Sequence, residues 1–103
     1  MERRRHARVN FSCEMALMVE GEYLSCQARN VAVKGVLTRV QCGDMSVLQE
    51  SATVACWLEY NGQNFEANCK VIRIVGKDVA LMFLDLNVDQ ADFIKELITE
   101  NSE

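Results

Sequence analysis

The sequence predicts an all-β domain in which six antiparallel strands are followed by one C-terminal α-helix. Three observations lead to this fold class: apolar residues recur at every second position, tight-turn residues separate these runs, and residues 88–100 change to helical spacing. Alternation is typical of strands because successive side chains point to opposite faces of a sheet. Strands joined by such short turns favour a small antiparallel barrel or a strongly bent sheet.

The first predicted strand, residues 9–19, has the clearest alternation in the chain. Its apolar positions are Val9, Phe11, Cys13, Met15, Leu17 and Val19. Glu20-Gly21-Glu22 then predicts a turn, and Leu24, Cys26 and Ala28 alternate with polar residues in a second strand over residues 23–30. Two consecutive strands joined by so short a turn predict a β-hairpin.

The other four strands are placed by turn residues as much as by alternation. They are predicted at residues 36–40, 53–60, 63–74 and 79–84, with a loop at residues 43–51. Asn61-Gly62 is a strong hairpin signal, because a type I′ turn needs positive φ at both central residues. Gly76-Lys77-Asp78 predicts the turn into the sixth strand.

The predicted helix begins after Asn87. Its apolar positions are Val88, Ala91, Phe93, Ile94, Leu97 and Ile98. These positions largely follow the three-and-four spacing of an amphipathic helix. Asn87 is placed to act as the N-cap, and Gln90 three residues later can complete a capping box. The helix is expected to pack over one opening of the sheet.

Length and composition limit the possible functions. A chain of 103 residues forms one domain, and a net charge of −4 argues against a protein that coats a nucleic acid polymer. Five cysteines form an odd number without a CxxC pair, which favours neither a zinc site nor a disulfide framework. No apolar run reaches the roughly 20 residues of a membrane-spanning helix, and no signal peptide is recognisable, so a cytoplasmic location is expected.

No catalytic constellation is recognisable in the sequence. The only histidine, His6, lies in a basic segment, and no serine, cysteine or aspartate forms a known nucleophile motif with it. One histidine and scattered carboxylates do not suggest a metal site either. We therefore expect a protein that is not an enzyme and needs no cofactor.

The basic residues are concentrated at the N-terminus, where four of the eleven fall within the first eight positions: Arg3, Arg4, Arg5 and Arg8. Guanidinium groups pair bidentately with phosphate, stack on bases and match the O6 and N7 acceptors of guanine. A guanine nucleotide is therefore a natural ligand. A solvated basic tail, or a patch for RNA or anionic lipid, is the alternative that composition alone supports.

A second segment, Asn30-x-Ala32-x-x-Gly35, lies at the junction of the second and third strands. Together with Arg3-Arg4-x-x-x-Arg8, it resembles the PilZ domain family, whose motifs are RRxxxR and (D/N)xSxxG, with alanine here in place of serine. A further element of this family, GxxF, is similar to residues 80–83, which read Ala-Leu-Met-Phe. The resemblance covers essentially the whole chain.

The resemblance implies a six-stranded antiparallel β-barrel at residues 9–103, a flexible arm at residues 1–8 and a receptor for the bacterial second messenger cyclic di-GMP. Arg4 and Arg8 would then hold guanine edges and phosphates, while Asn30 and Ala32 would meet a guanine from the barrel side. Gly35 would allow a close backbone approach. Arg3 is associated in this family with a stacked pair of ligand molecules.

The missing serine leaves two functions open. Loss of one hydroxyl bond at Ala32 would cost roughly 0.5–1.5 kcal/mol, about tenfold in affinity. The first function is a receptor whose closed arm signals to a downstream partner protein. The second is a protein–protein adaptor that no longer binds the ligand.

Trp57 lies on the face opposite Cys56 and Leu58, where it either packs under the arm or helix or forms a surface for a partner.

Overall fold

The computed structural model describes residues 8–101, with side chains from residue 12 onward. Within this range six antiparallel strands form a closed barrel in the order β1-β2-β3-β6-β5-β4, followed by one α-helix. The elements are β1 (Arg8–Val19), β2 (Glu22–Ala32), β3 (Gly35–Cys42), a 3-10 turn (Met45–Val47), β4 (Thr53–Tyr60), β5 (Gln63–Val75), β6 (Asp78–Leu84) and α1 (Val88–Asn101). The predicted six-stranded barrel with a C-terminal helix is confirmed.

The alternating residues of the strands fill the interior of the barrel. Leu17, Leu24, Leu58 and Val71 have no exposed surface, and each belongs to the apolar set of its strand. The Asn61-Gly62 turn has positive φ at both residues, 54° and 75°, and β4 pairs with β5 directly across it. The hairpin predicted there is therefore confirmed.

Several element boundaries differ from the sequence prediction by one or two residues. β2 continues through Ala32 and β3 already begins at Gly35, so the connection between them shortens to two residues. Arg8, which the sequence analysis assigned to the arm, is the first residue of β1. Backbone pairing of β1 with β2 extends the strands past the point where side-chain alternation ends.

The helix closes one end of the barrel with Ile94, Leu97 and Ile98, which are buried. Its start is the predicted capping box. The Gln90 backbone N–H donates to Asn87 Oδ1 at 2.8 Å, and the Asn87 N–H donates to Gln90 Oε1 at 2.8 Å. These two bonds satisfy backbone donors that have no partner within the helix.

Asn87→Ala should lower the free energy of unfolding by about 1 kcal/mol, because one capping acceptor is lost. Urea denaturation monitored by circular dichroism measures this change. Asp92→Ala, at an exposed position of the same helix, is the control and should leave the midpoint nearly unchanged. Equal destabilisation by both variants would show that the capping box contributes nothing specific.

All five cysteines are free thiols, and they differ in burial. Burial raises the pKa of Cys13 and of Cys26 to about 11. Cys69 Sγ donates to Cys56 Sγ at 3.3 Å inside the barrel, and this bond together with burial raises the pKa of Cys69. Cys42 is exposed.

We therefore expect one fast thiol when the native protein is labelled with Ellman's reagent at pH 8. Buried thiols react slowly, and a pKa near 11 leaves about one molecule in a thousand as thiolate at that pH. All five thiols should react in guanidinium chloride. Cys42→Ser should remove the fast phase, and two or more fast thiols in the native protein would contradict the expectation.

Candidate ligand-binding site

The strand register brings the two sequence motifs together. In the β1–β2 pair, Arg8 lies directly opposite Ala32, and Asn10 lies directly opposite Asn30. The last arginine of the first motif is therefore a cross-strand neighbour of the middle residue of the second. Arg3 and Arg4 lie outside the residues that the structure describes.

A β-bulge sets the direction of Asn30. Along β2, Leu24, Cys26 and Ala28 point into the barrel, so simple alternation would turn Asn30 inward as well. The pairing with β3 shifts between Ala28 and Asn30, and Val31 becomes the next fully buried residue. The extra residue therefore reverses the phase, and Asn30 and Ala32 lie on the outer face.

Gly35 has a structural role in the closure of the barrel. It pairs with Met82, and a Cβ added at Gly35 would lie 2.2 Å from the backbone oxygen of Leu81. The next residue of β6, Phe83, donates its backbone N–H to the Lys34 oxygen at 2.8 Å. The close backbone approach at this glycine is made by strand β6. A contact of Gly35 with the ligand stays a prediction.

The structure adds two residues to this face that the motifs did not include. Leu37 pairs with Asn30, and its side chain is 42% exposed. On the neighbouring strand β6, Ala80 pairs with Leu37 of β3 on one side and with Arg73 of β5 on the other. Exposed Leu37 offers an apolar surface beside Asn30, and exposed Arg73 adds a cation at the far end of the same row.

Another bulge made the outward direction of Arg73 unpredictable from the sequence. The inward residues of β5 are odd-numbered up to Val71, and continued alternation would place Arg73 inside the barrel. The register shifts between Val71 and Arg73, so that Ile74 packs against the core instead. No residue type in this segment indicates a bulge, and the bulge is evident only from the pairing of β5 with β6.

Comparison with known proteins decides the family, because the family profile of the PilZ domain matches residues 2–100. The chain belongs to the PilZ domain family. PilZ domains are receptor and adaptor domains and typically bind cyclic di-GMP, so this PilZ chain is not an enzyme. A search among curated proteins finds no match.

Solved structures share the fold. The PilZ domain of YcgR from Escherichia coli, determined with cyclic di-GMP, has a TM-score of 0.79 at 15% identity and covers 97% of this chain and 92% of its own. The PilZ domain of CeSA from a cellulose-synthesizing bacterium has a TM-score of 0.74 at 10% identity, with coverages of 90% and 95%. The Bacillus subtilis inhibitor of motility, MotI/DgrA, has a TM-score of 0.76 at 12% identity and covers 97% of this chain and 51% of its own.

Two further structural observations concern residues 8–101. No helix in this range is long and apolar enough to cross a membrane. Among the same residues, no group of three or more histidine, cysteine, aspartate or glutamate side chains is arranged to hold a metal ion.

Proposed function

We propose that this PilZ domain is a receptor for cyclic di-GMP, with the ligand held between residues 1–8 and the outer face of the β2–β3 hairpin. The observation that carries the proposal is the register of β1 and β2, in which Arg8 lies opposite Ala32. Two motifs separated by more than twenty residues in sequence meet at one point of the barrel surface. A ligand bound there would contact both motifs at once.

The chemistry of the two sides is complementary to the ligand. Arg3, Arg4 and Arg8 supply permanent positive charge and planar donor groups for phosphates and for the O6 and N7 acceptors of guanine. On the barrel side, the Asn30 amide offers both a donor and an acceptor to a guanine edge. Exposed Leu37, opposite Asn30, gives a base an apolar surface to lie on. Arg73 extends the positive charge across this face.

Isothermal titration calorimetry of the full chain with cyclic di-GMP tests the proposal. We expect saturable heat, together with NMR shift changes of the Arg4, Arg8 and Asn30 backbone amides. The stoichiometry decides whether Arg3 supports a stacked pair of ligand molecules. Absence of both heat and shift changes at high micromolar ligand would reject the receptor function and favour the adaptor function.

Ala32→Ser should tighten cyclic di-GMP binding by up to about tenfold, because a hydroxyl that reaches the base would restore roughly 0.5–1.5 kcal/mol. Calorimetry of the variant measures the gain. Ala55→Ser is the matched control, since Ala55 is exposed on strand β4 and lies outside both motifs. A gain for Ala55→Ser equal to that for Ala32→Ser would show that position 32 does not contact the ligand.

A partner protein completes the proposed mechanism. Closing the arm over the ligand costs conformational entropy, which the arginine contacts must exceed, and it creates a surface that the free protein lacks. A partner that binds this surface would respond to the ligand concentration. We also propose that the protein acts in the cytoplasm. Its five cysteines are free thiols, and thiols stay reduced in that compartment.

The adaptor function is the second candidate, and the alanine at position 32 favours it. In this case the barrel would bind its partner in the absence of any nucleotide. The wild-type chain would then give no calorimetric heat with cyclic di-GMP, which separates the two functions.

A further inference from the structure

A groove of about 420 Å³ lies on the outer surface of the barrel, between the strand faces and the start of the helix. Its lining includes Met18 of β1, Ala55 and Trp57 of β4, Glu66 of β5, and Leu84 and Asp85 at the end of β6. Asn30, Ala32 and Gly35 are not among its lining residues. The groove is therefore separate from the barrel residues of the proposed nucleotide site.

The strand register explains why the surface is concave. Trp57 lies opposite Ala16 on one neighbouring strand and opposite Glu66 on the other. Ala55, two residues away on the same face, lies opposite Met18. Small side chains beside the large indole leave a depression, and half-buried Trp57 forms one of its walls.

Both charged side chains that line the groove are acidic. Glu66 is the direct cross-strand neighbour of Trp57, and Asp85 follows the end of β6, while no lysine or arginine is part of the described lining. The first turn of α1 adds Asp89, next to the lining residue Gln90. Four of the eleven basic residues precede residue 9, so the barrel and helix are more acidic than the net charge of −4 suggests.

We propose that this groove is a docking site for an arginine- or lysine-bearing segment of a partner protein. The cationic side chain would lie over the Trp57 ring, where the quadrupole of the indole attracts it, and would pair with Glu66 and Asp85. Arginine suits the site best because its guanidinium both stacks on an aromatic ring and binds carboxylates bidentately. A nucleotide does not suit it, because phosphates and carboxylates repel each other.

The length of the N-terminal segment argues against its own arginines as the occupant. Trp57 adjoins β1 at Ala16, eight residues beyond Arg8, which is about 26 Å along an extended strand. Arg3 precedes Arg8 by five residues, about 17 Å of chain at full extension. A separate basic segment can reach Trp57 without this constraint.

Fluorescence titration tests the proposal, because Trp57 is the only tryptophan of the chain. The probe is the blocked peptide acetyl-Arg-Gly-Arg-amide, and the matched peptide carries citrulline, the neutral isostere of arginine, at both positions. We expect a saturable change in Trp57 emission with the arginine peptide and no change with the citrulline peptide. The double variant Glu66→Gln/Asp85→Asn should weaken binding by about fivefold or more. Glu59→Gln, on the same face of β4 but outside the lining, should bind normally.

The alternative occupants give different results. No emission change, equal binding of the citrulline peptide, or normal binding by the Glu66→Gln/Asp85→Asn variant would overturn the proposal. In the absence of peptide, Trp57 emission of the variant Arg3→Ala/Arg4→Ala/Arg5→Ala is compared with that of the wild type. A change in its Trp57 emission at all protein concentrations would assign the groove to the chain's own arm, and a change only at high concentration would assign it to a second copy. Near-ultraviolet circular dichroism confirms that each variant is folded.

Discussion

Gly35→Ala is expected to destabilise the barrel by about 3 kcal/mol, the upper end of the range for overpacked interiors. The added Cβ would lie 2.2 Å from the backbone oxygen of Leu81 and 3.2 Å from its carbonyl carbon. Backbone atoms of a paired strand cannot move aside as a flexible side chain can. The β3–β6 pairing, one of the two pairings between strands that are not consecutive, would have to open locally.

Guanidinium chloride unfolding of wild type and variant measures the loss. Gly76→Ala is the matched control, because Gly76 has open space around its Cβ position and only a φ of 61° to oppose an alanine. That strain costs about 1–2 kcal/mol. If Gly35→Ala proves no more destabilising than Gly76→Ala, the close approach to Leu81 is not a constraint.

Arg8→Ala is expected to lower the affinity for cyclic di-GMP by about thirtyfold, since bonds to a charged group contribute roughly 1.5–3 kcal/mol. The backbone of residue 8 pairs with Ala32 whatever side chain it carries, so the fold should remain intact. Arg4→Ala should have a similar effect. The double variant should give no measurable heat.

Calorimetry under identical salt conditions provides the comparison, because phosphate contacts weaken as salt increases. Lys95→Ala, at an exposed position of α1, removes one positive charge outside both motifs and should bind as wild type does. Arg8→Lys should recover only part of the affinity, because an ammonium group cannot form the planar bidentate pair. Unchanged affinity of Arg8→Ala would remove the arm from the binding site.

Secondary structure was predictable because its signals are local. The alternation from Val9 to Val19, the Asn61-Gly62 turn and the Asn87–Gln90 capping box each depend on residues close together in sequence. Two motifs, read together, also identified the family. These features follow from short-range chemistry, in which side-chain period and turn conformation are set by neighbouring residues.

The orientation of several site residues was not predictable in the same way. The bulges after Ala28 and after Val71 reverse the alternation of β2 and β5, so Asn30 and Arg73 face outward. A bulge is defined by two strands, and the sequence of one strand does not contain it. The contact of Gly35 with Leu81 was not predictable for the same reason, since Leu81 is forty-six residues away.

The amino-acid sequence alone determined six strands, one capped helix and the pair of motifs that mark a PilZ domain. Tertiary structure decided that Arg8 meets Ala32, that Asn30 turns outward, and that Trp57 and Glu66 share a groove. Local preferences act over a few residues, whereas a closed barrel fixes the register of every strand against both neighbours. No single segment determines that register, and the register positions the residues of both the proposed nucleotide site and the groove at Trp57.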